Sequence, residues 1–287
     1  KHYPLKSLFP TSSGTASLHV AIAALRLKPG DEIILAPITD MGSVIGILYQ
    51  QLVPVFADVD PRTYNLDPES VKQAITPKTK AIMPIHLAGN PCDMTTLNAI
   101  AKEHDLAVIE DCAQAWGARH QSTPVGLLGD FGCYSFNDFK HLACGDGGMV
   151  GTNHDHIGSH LAKWGDKCYN RVTNVRNPDE LTHNYRMSEP LSAICTAQLG
   201  KHDSIIECRV RTGNLLRSLL ANTPGVNTQY VHHEDTHSFY NIILRLDLDQ
   251  LTCTRDEFYE LLQAEGDATQ SGPALFFTAW ELKPEKL

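Results

Sequence analysis

The chain has 287 residues, of which 42% are hydrophobic, so it can bury a large core and form one large domain or one large and one small. Its net charge is −9 and its basic residues are scattered, which argues against a nucleic-acid surface or an anionic-membrane patch. No apolar run approaches the roughly 18 residues of a membrane span, and no signal peptide is evident at the start. Eight cysteines form no CxxC pair and several lie in apolar runs, which reads as reduced, mostly buried thiols in a cytoplasmic protein.

In chain order, residues 17–27 carry an apolar-faced helix and 32–37 a short β-rich run. Residues 42–50 predict a helix and 53–59 a strand. A helix over 67–75 opens with an N-cap aspartate and a proline at its first position. Strand 80–86, helix 95–104 and strand 107–111 follow, and "GCYSF" is a further strand. Strands alternating with helices imply parallel pairing through crossover helices. The strands are apolar throughout rather than alternating, as expected of a sheet covered on both faces. The expected class is therefore α/β, with a mostly parallel sheet covered by helices in a large domain over 1–188. Beyond a polar stretch at 165–190, a long helical region (190–222), a strand (239–248) and a helix (255–266) predict a smaller α+β domain over 189–287.

Ligands of such sheets bind beyond the carboxyl ends of the strands. Three pieces lie at predicted element ends. "SSGTAS" (12–17) precedes a helix, and its free N–H groups, Gly14 and the hydroxyls of Ser13 and Thr15 suit a phosphate, although Ser and Thr are also ordinary caps. "VIED" ends a strand in Glu110 and Asp111, carboxylates that need partners if buried. Ser135 stands near the end of "GCYSF", and Lys140 follows five residues later within a glycine-rich stretch. A phosphate cradle, an acid and a lysine together suit pyridoxal 5'-phosphate (PLP). An aspartate beside the ring nitrogen keeps it protonated, and a lysine binds the aldehyde and later carries a proton.

The phrases "SSGTASLHVAIAAL", "GDEIILAPITD", "PVFADVDPRTYNLDPESVKQAITPKTKAIMPIHLAGNPCDM", "AVIEDCAQAWGA", "GDFGCYSFNDFK", "GDGGMV" and "HNYRMSEPLSAICTAQL" run in order from about residue 12 to 200. In sequence and spacing the chain resembles the DegT/DnrJ/EryC1/StrS sugar aminotransferases, PLP enzymes of the aspartate-aminotransferase fold, type I. The resemblance implies that Lys140 holds the cofactor through a Schiff base and that Asp111 pairs with the pyridine nitrogen. It implies that Gln114 reaches the ring hydroxyl and that Gly14, Thr15 and Ser135, with Ser13 beside them, bind the phosphate. It implies further that Asn184 of "HNYRM" reaches the phosphate of a neighbouring subunit, in a homodimer with shared sites.

The chain departs from the family pattern in several places. Asp40, followed by Met41, stands where an aromatic residue usually stacks on the cofactor; Met41 against the ring and Asp40 against substrate are both open. Trp116 replaces a common histidine and either stacks or fills core. Relative to the family, the start lacks the segment before the "SGT" region and the finish lacks a last helix, which reads as a fragment or as missing segments. "HHEDTH" (232–237) and "NHDHIGSH" (153–160) lack zinc-site spacing and read as surface loop or helix face, so no metal is expected. His86 lines the pocket or is a hydrogen-bonded core residue.

The implied activity is transfer of an amino group from glutamate or glutamine to a keto-sugar, often nucleotide-linked, or a keto-cyclitol, in amino-sugar biosynthesis. The alternatives are a PLP-dependent sugar dehydratase or other fold-type I PLP enzyme, and a non-catalytic PLP-binding regulatory protein. The family's dehydratases replace the lysine with histidine, so Lys140 argues against the first. The intact Lys-Asp-Ser set argues against the second.

Overall fold

The computed structural model describes residues 3–170, 174–176 and 180–265. Strand β1 (Ser7–Thr11) leads through Ser13 into helix α1 (Gly14–Ala24). Then come β2 (Glu32–Leu35), α2 (Gly42–Tyr49), β3 (Val53–Phe56), α3 (Pro68–Ala74) and β4 (Thr79–Met83). Asp67 caps α3 through the Glu69 N–H with Pro68 at the first turn, as the sequence predicts. A 3-10 turn at Leu87–Gly89 precedes α4 (Met94–Glu103), capped by Asp93, and β5 (Ala107–Asp111). A short hairpin of β6 (Arg119–His120) and β7 (Thr123–Pro124) leads to β8 (Phe131–Ser135) and β9 (Gly148–Thr152).

Seven strands form one sheet in the order β1-β9-β8-β5-β4-β2-β3. The β8-β5-β4-β2-β3 portion is parallel, and β9 runs antiparallel to both of its neighbours. The fold is thus α/β with a mostly parallel sheet, as expected. β1 and β9 were not anticipated: the first lies before the motif-bearing sequence, and the second hides in the glycine-rich stretch. Central strands read as continuous apolar runs because both faces are covered: Ile33, Ile34 and Leu35 in β2 and Ile82 and Met83 in β4 are fully buried.

Helices α5 (Asp155–Gly158) and α6 (Leu161–Gly165) and the short pair β10 (Tyr169–Asn170) and β11 (Val175–Arg176) lead toward α7 (Glu189–Leu199). Two sequence expectations need correction here. The long helix expected over 190–222 is two helices, α7 and α8 (His202–Leu220), broken at Gly200 and Lys201. The strand expected over 239–248 is only β13 (Leu244–Leu246), paired with β12 (Val226–Thr228). Residues 238–241 instead bond the Leu87–Gly89 turn: the Ser238 N–H donates to the Gly89 carbonyl at 2.9 Å and Asn241 N–H to that of Ala88 at 3.2 Å. Helix α9 (Arg255–Ala264) follows a Thr254–Glu257 capping box, and residue 266 of the helix expected there lies outside the described residues. Among the described residues no helix is long and apolar enough to cross a membrane.

Two hydrophobic clusters result. The larger fills the sheet–helix interfaces around Ile22, Ile34, Met83 and Ile109. The smaller joins Trp116, Tyr134 and Phe136 to Cys195 of α7 and Ile206 of α8, so those helices pack against the β8 end of the sheet. Six cysteines are buried, Cys253 is half-buried and Cys208 is exposed, all of them free thiols.

Candidate active site

The carboxyl ends of β5 and β8 lie side by side, with Asp111 paired to Cys133. Asp111 ends β5 and is buried at 5% exposure. Its carboxylate accepts a hydrogen bond from Ser43 Oγ at 2.7 Å and from the Ala113 N–H at 3.0 Å. Burial raises its pKa, opposed by those two donors and by the nearby Lys140 charge. Lys140 lies on the loop after β8. Burial lowers its pKa, while Asp111 and Asp40 favour its ammonium form. A half-buried amine and a buried acid thus lie close enough to act on one another, each pushed toward neutrality by burial and toward charge by the other.

Ser135 ends β8, buried, and Gly14 opens α1 directly against it. A Cβ on Gly14 would stand 2.7 Å from Ser135 Cβ, so only glycine permits that approach. The Ser13 hydroxyl accepts from the Ala16 N–H at 3.0 Å and is an ordinary cap. No acceptor among the described residues meets the N–H groups of Gly14 and Thr15, which remain at the positive end of an eleven-residue helix. Thr15 is exposed.

Gln114 is buried, and its side-chain oxygen accepts from the Ala88 N–H at 2.8 Å, leaving only its NH2 to donate elsewhere. Asp40 is exposed and accepts from the Gly42 N–H at 2.7 Å, and Met41 is 39% exposed. Asn184 is exposed and its backbone bridges to Asp166.

Trp116 fills core: it is fully buried, stacks on Tyr134 with centroids 4.5 Å apart, and donates from Nε1 to the Ser135 carbonyl at 2.8 Å. Its role is to fix the strand end that carries Ser135. His86 is likewise a core residue. The Cys92 N–H donates to its Nδ1 at 3.1 Å, so Nε2 carries the proton and donates to Glu110 at 3.1 Å. Glu110 also accepts from the Gly126, Leu128 and Gly129 N–H groups at 2.7, 2.7 and 2.6 Å. His86, Glu110 and Cys112 bring ligand-type atoms within 4.8 Å of one another, yet the donors on Glu110 already use both oxygens. In "HHEDTH", His232 and His233 are exposed, but His237 is buried, correcting the surface reading for that residue: its Nδ1 accepts the Phe239 N–H at 2.8 Å.

Two groups at the site were not singled out from sequence. Ser43 stands 68 residues from Asp111, and only its place at the start of the helix predicted over 42–50 hints at it. Tyr240 stands 100 residues from Lys140, with its Oη 3.5 Å from Lys140 Nζ, and no local signal marks it. A separate cavity of about 400 Å³ lies away from Lys140, lined by Tyr3, Arg119, His202 and Arg211 among others.

A family model described as the DegT/DnrJ/EryC1/StrS aminotransferase family matches residues 6–280. A GDP-perosamine synthase of Caulobacter vibrioides is 35% identical over 263 residues, covering 91% of this chain and 70% of that protein. A solved aminotransferase from Psychrobacter cryohalolentis superimposes with a TM-score of 0.87 at 30% identity, covering 91% of this chain and 71% of that one. A GDP-4-keto-6-deoxymannose-3-dehydratase, solved with trapped PLP-glutamate, gives 0.85 at 27% identity, covering 92% and 74%. These relatives imply PLP, and the residues fit it. The Gly14–Ser135 contact places two N–H groups and a hydroxyl for a phosphate, and Asp111 and Lys140 supply a buried carboxylate and a half-buried amine.

Proposed function

Since the chain belongs to the DegT/DnrJ/EryC1/StrS aminotransferase family, we propose that it transfers an amino group from glutamate or glutamine to a keto-sugar, often nucleotide-linked, or a keto-cyclitol. The observation that carries this is the meeting of Lys140 with Asp111 beside the Gly14–Ser135 contact. Bound there, PLP supplies an aldehyde for amines and a ring that accepts electrons. Lys140 would hold the cofactor and, once released, move a proton at Nζ; burial makes its neutral form accessible. Asp111 would hold a proton on the ring nitrogen, and Ser43 fixes the carboxylate for that task. Gly14, Thr15 and Ser135 would bind the phosphate, with Ser13 shaping the turn. Gln114, anchored at Ala88, would donate from its NH2 to the ring hydroxyl.

Asp40, whose charge acts on Lys140, and the neighbouring Met41 are both exposed and form an open rim of the site. That rim supports the further proposal of a homodimer in which Asn184 of one chain completes the phosphate site of the other. The division into a larger domain to residue 188 and a smaller one from 189, and a cytoplasmic setting for the reduced thiols, belong to the same proposal.

The dehydratase likeness supplies a second reading. An intact Lys140 favours amino transfer. The experiment is a screen of amino donors against keto-sugar and keto-cyclitol acceptors, with products followed by mass spectrometry. Amino-sugar or amino-cyclitol formation, lost in Lys140→Ala, is the expected result. Deoxygenated sugar without amine gain would favour the dehydratase reading.

A further inference from the structure

Phe239 has φ +53, a region that bulky L-residues avoid, and such outliers gather at functional sites. Its surroundings hold it there. The N–H donates to His237 Nδ1 at 2.8 Å and the carbonyl accepts from Arg209 Nη1 at 3.1 Å. The ring stacks on His237 at 4.2 Å and lies where a side chain on Gly213 of α8 would be, since a Cβ there would stand 2.2 Å from the ring.

The residues on either side of Phe239 show what the turn achieves. Ser238 N–H bonds the Gly89 carbonyl, and the Ser238 carbonyl accepts from His141 Nε2 at 2.9 Å. Asn241 bonds Ala88, itself held by Gln114 three residues past Asp111. The segment is therefore pinned to the Lys140–His141 loop on one side and to the Leu87–Gly89 turn on the other. Between those anchors Tyr240 is presented to Lys140. The Lys140 amine lies 4.6 Å from the centre of the Tyr240 ring and 3.5 Å from its hydroxyl.

We propose that Tyr240 is a positioning residue of the active site, whose ring face and hydroxyl receive the Lys140 amine whenever that amine is not bonded to the cofactor. The proposal rests on Lys140 being the cofactor lysine and adds what that reading lacks. A long, flexible side chain released from a covalent bond loses its aim; a built docking place keeps Nζ near the atoms between which it carries a proton. The ring face favours the ammonium form electrostatically. The charged and titratable groups facing Lys140 are Asp111 from β5, Asp40 from the loop before α2, Tyr240 itself and the neighbouring His141.

The test is competitive acetylation of the whole chain stripped of cofactor, read at the Lys140 peptide by mass spectrometry across pH. Tyr240→Leu removes ring and hydroxyl, so the Lys140 midpoint should fall by about one pH unit, and labelling below it should rise about tenfold. Tyr240→Phe keeps the ring face, so its midpoint should fall by about half a unit or less. In the cofactor-loaded enzyme, kcat of Tyr240→Leu should fall about tenfold with KM for the amino donor little changed. A Lys140 midpoint that stays put or rises in Tyr240→Leu overturns the proposal. Borohydride reduction of the loaded chain, followed by peptide mapping, asks separately whether Lys140 carries the cofactor. No pyridoxyl group on that peptide would remove the reading beneath the proposal, whatever the titration gave.

Discussion

Ser43 Oγ lies 2.7 Å from Asp111 Oδ2, and Thr39 Oγ1 lies 2.6 Å from the same Ser43 oxygen. An ionised carboxylate only accepts, so Ser43 donates to Asp111 and Thr39 donates to Ser43. The chain of hydroxyls aims one oxygen of a buried acid whose pKa burial already raises. Removing the donor with Ser43→Ala should raise that pKa further, because a bond to the charged form is lost. The acid limb of the activity–pH profile should then move to higher pH, with about 1–2 kcal/mol of stability lost. Asp111→Asn should slow the single-turnover amino-transfer step by about two orders of magnitude or more. Rapid-mixing kinetics on both variants checks this; a wild-type rate in Asp111→Asn would show that the carboxylate serves another group.

Glu110, one residue earlier, has a different task. Three backbone N–H groups from 126–129 and His86 Nε2 converge on its carboxylate, and all its acceptor directions face inward. Glu110→Gln keeps the shape but turns one acceptor into an NH2 facing N–H donors. Leaving buried donors unpaired costs about 2–4 kcal/mol. Urea denaturation should show that loss, while the cofactor-loaded fraction that remains folded keeps its turnover per site. An unchanged unfolding midpoint would contradict the clip described for residues 126–129.

These two neighbours show what was legible in the sequence. That a strand would end in acids needing partners followed from burial alone. Which acid serves chemistry and which serves structure did not follow, because the deciding donors come from Ser43 and from a loop sixteen or more residues on. Local features were readable for the same physical reason: the Asp67–Pro68 cap acts within one turn. The strand expected at 239–248 failed in its first half because Gly89 and Ala88, about 150 residues away, claim that backbone. The helix break at Gly200 was missed because apolar residues continue through it. Lys140, Asp111, Gly14 and Ser135 were singled out by motif; Gly14 lies against Ser135 and Asp111 acts on the Lys140 charge, whereas Tyr240 carries no motif and needed the fold.

Two buried histidines set an acid limit on stability. Burial lowers the His141 and His237 pKa values to about 3, against 6.5 for an unburied ring. The unfolded chain therefore takes up protons first as pH falls below about 6.5, and stability is lost from there toward the folded-state values. Their stabilising contribution is complete above that pH and shrinks below it. His19, lowered to about 4 by burial, acts in the same direction. Between pH 7.5 and 5.5 the loss from His141 and His237 together should be about 3 kcal/mol. Urea midpoints at the two pH values measure it, and His237→Gln should flatten the dependence. A midpoint as high at pH 5.5 as at 7.5 would refute the assignment of these rings as buried and neutral.

The proposed shared site makes a sharper demand. Asn184 is exposed, and its backbone bridges to Asp166. The N–H groups of Gly14 and Thr15, which meet no acceptor among the described residues, and the Ser135 hydroxyl leave a phosphate with acceptor capacity to spare. A partner's amide could take it up, and two-fold symmetry would then build two equivalent sites at one interface. Lys140→Ala and Asn184→Ala, each nearly inactive alone, should complement one another when mixed. A hybrid dimer pairs the Lys140 of one chain with the Asn184 of the other in one of its two sites. With free exchange and random assortment, half the dimers are hybrid and half their sites intact, so up to about a quarter of wild-type activity should return. Sedimentation of the wild type at assay concentration shows whether a dimer is present, and exchange of labelled subunits shows whether mixing has occurred. No recovery of activity despite demonstrated exchange, or a fully active monomer, would place the whole phosphate site within one chain.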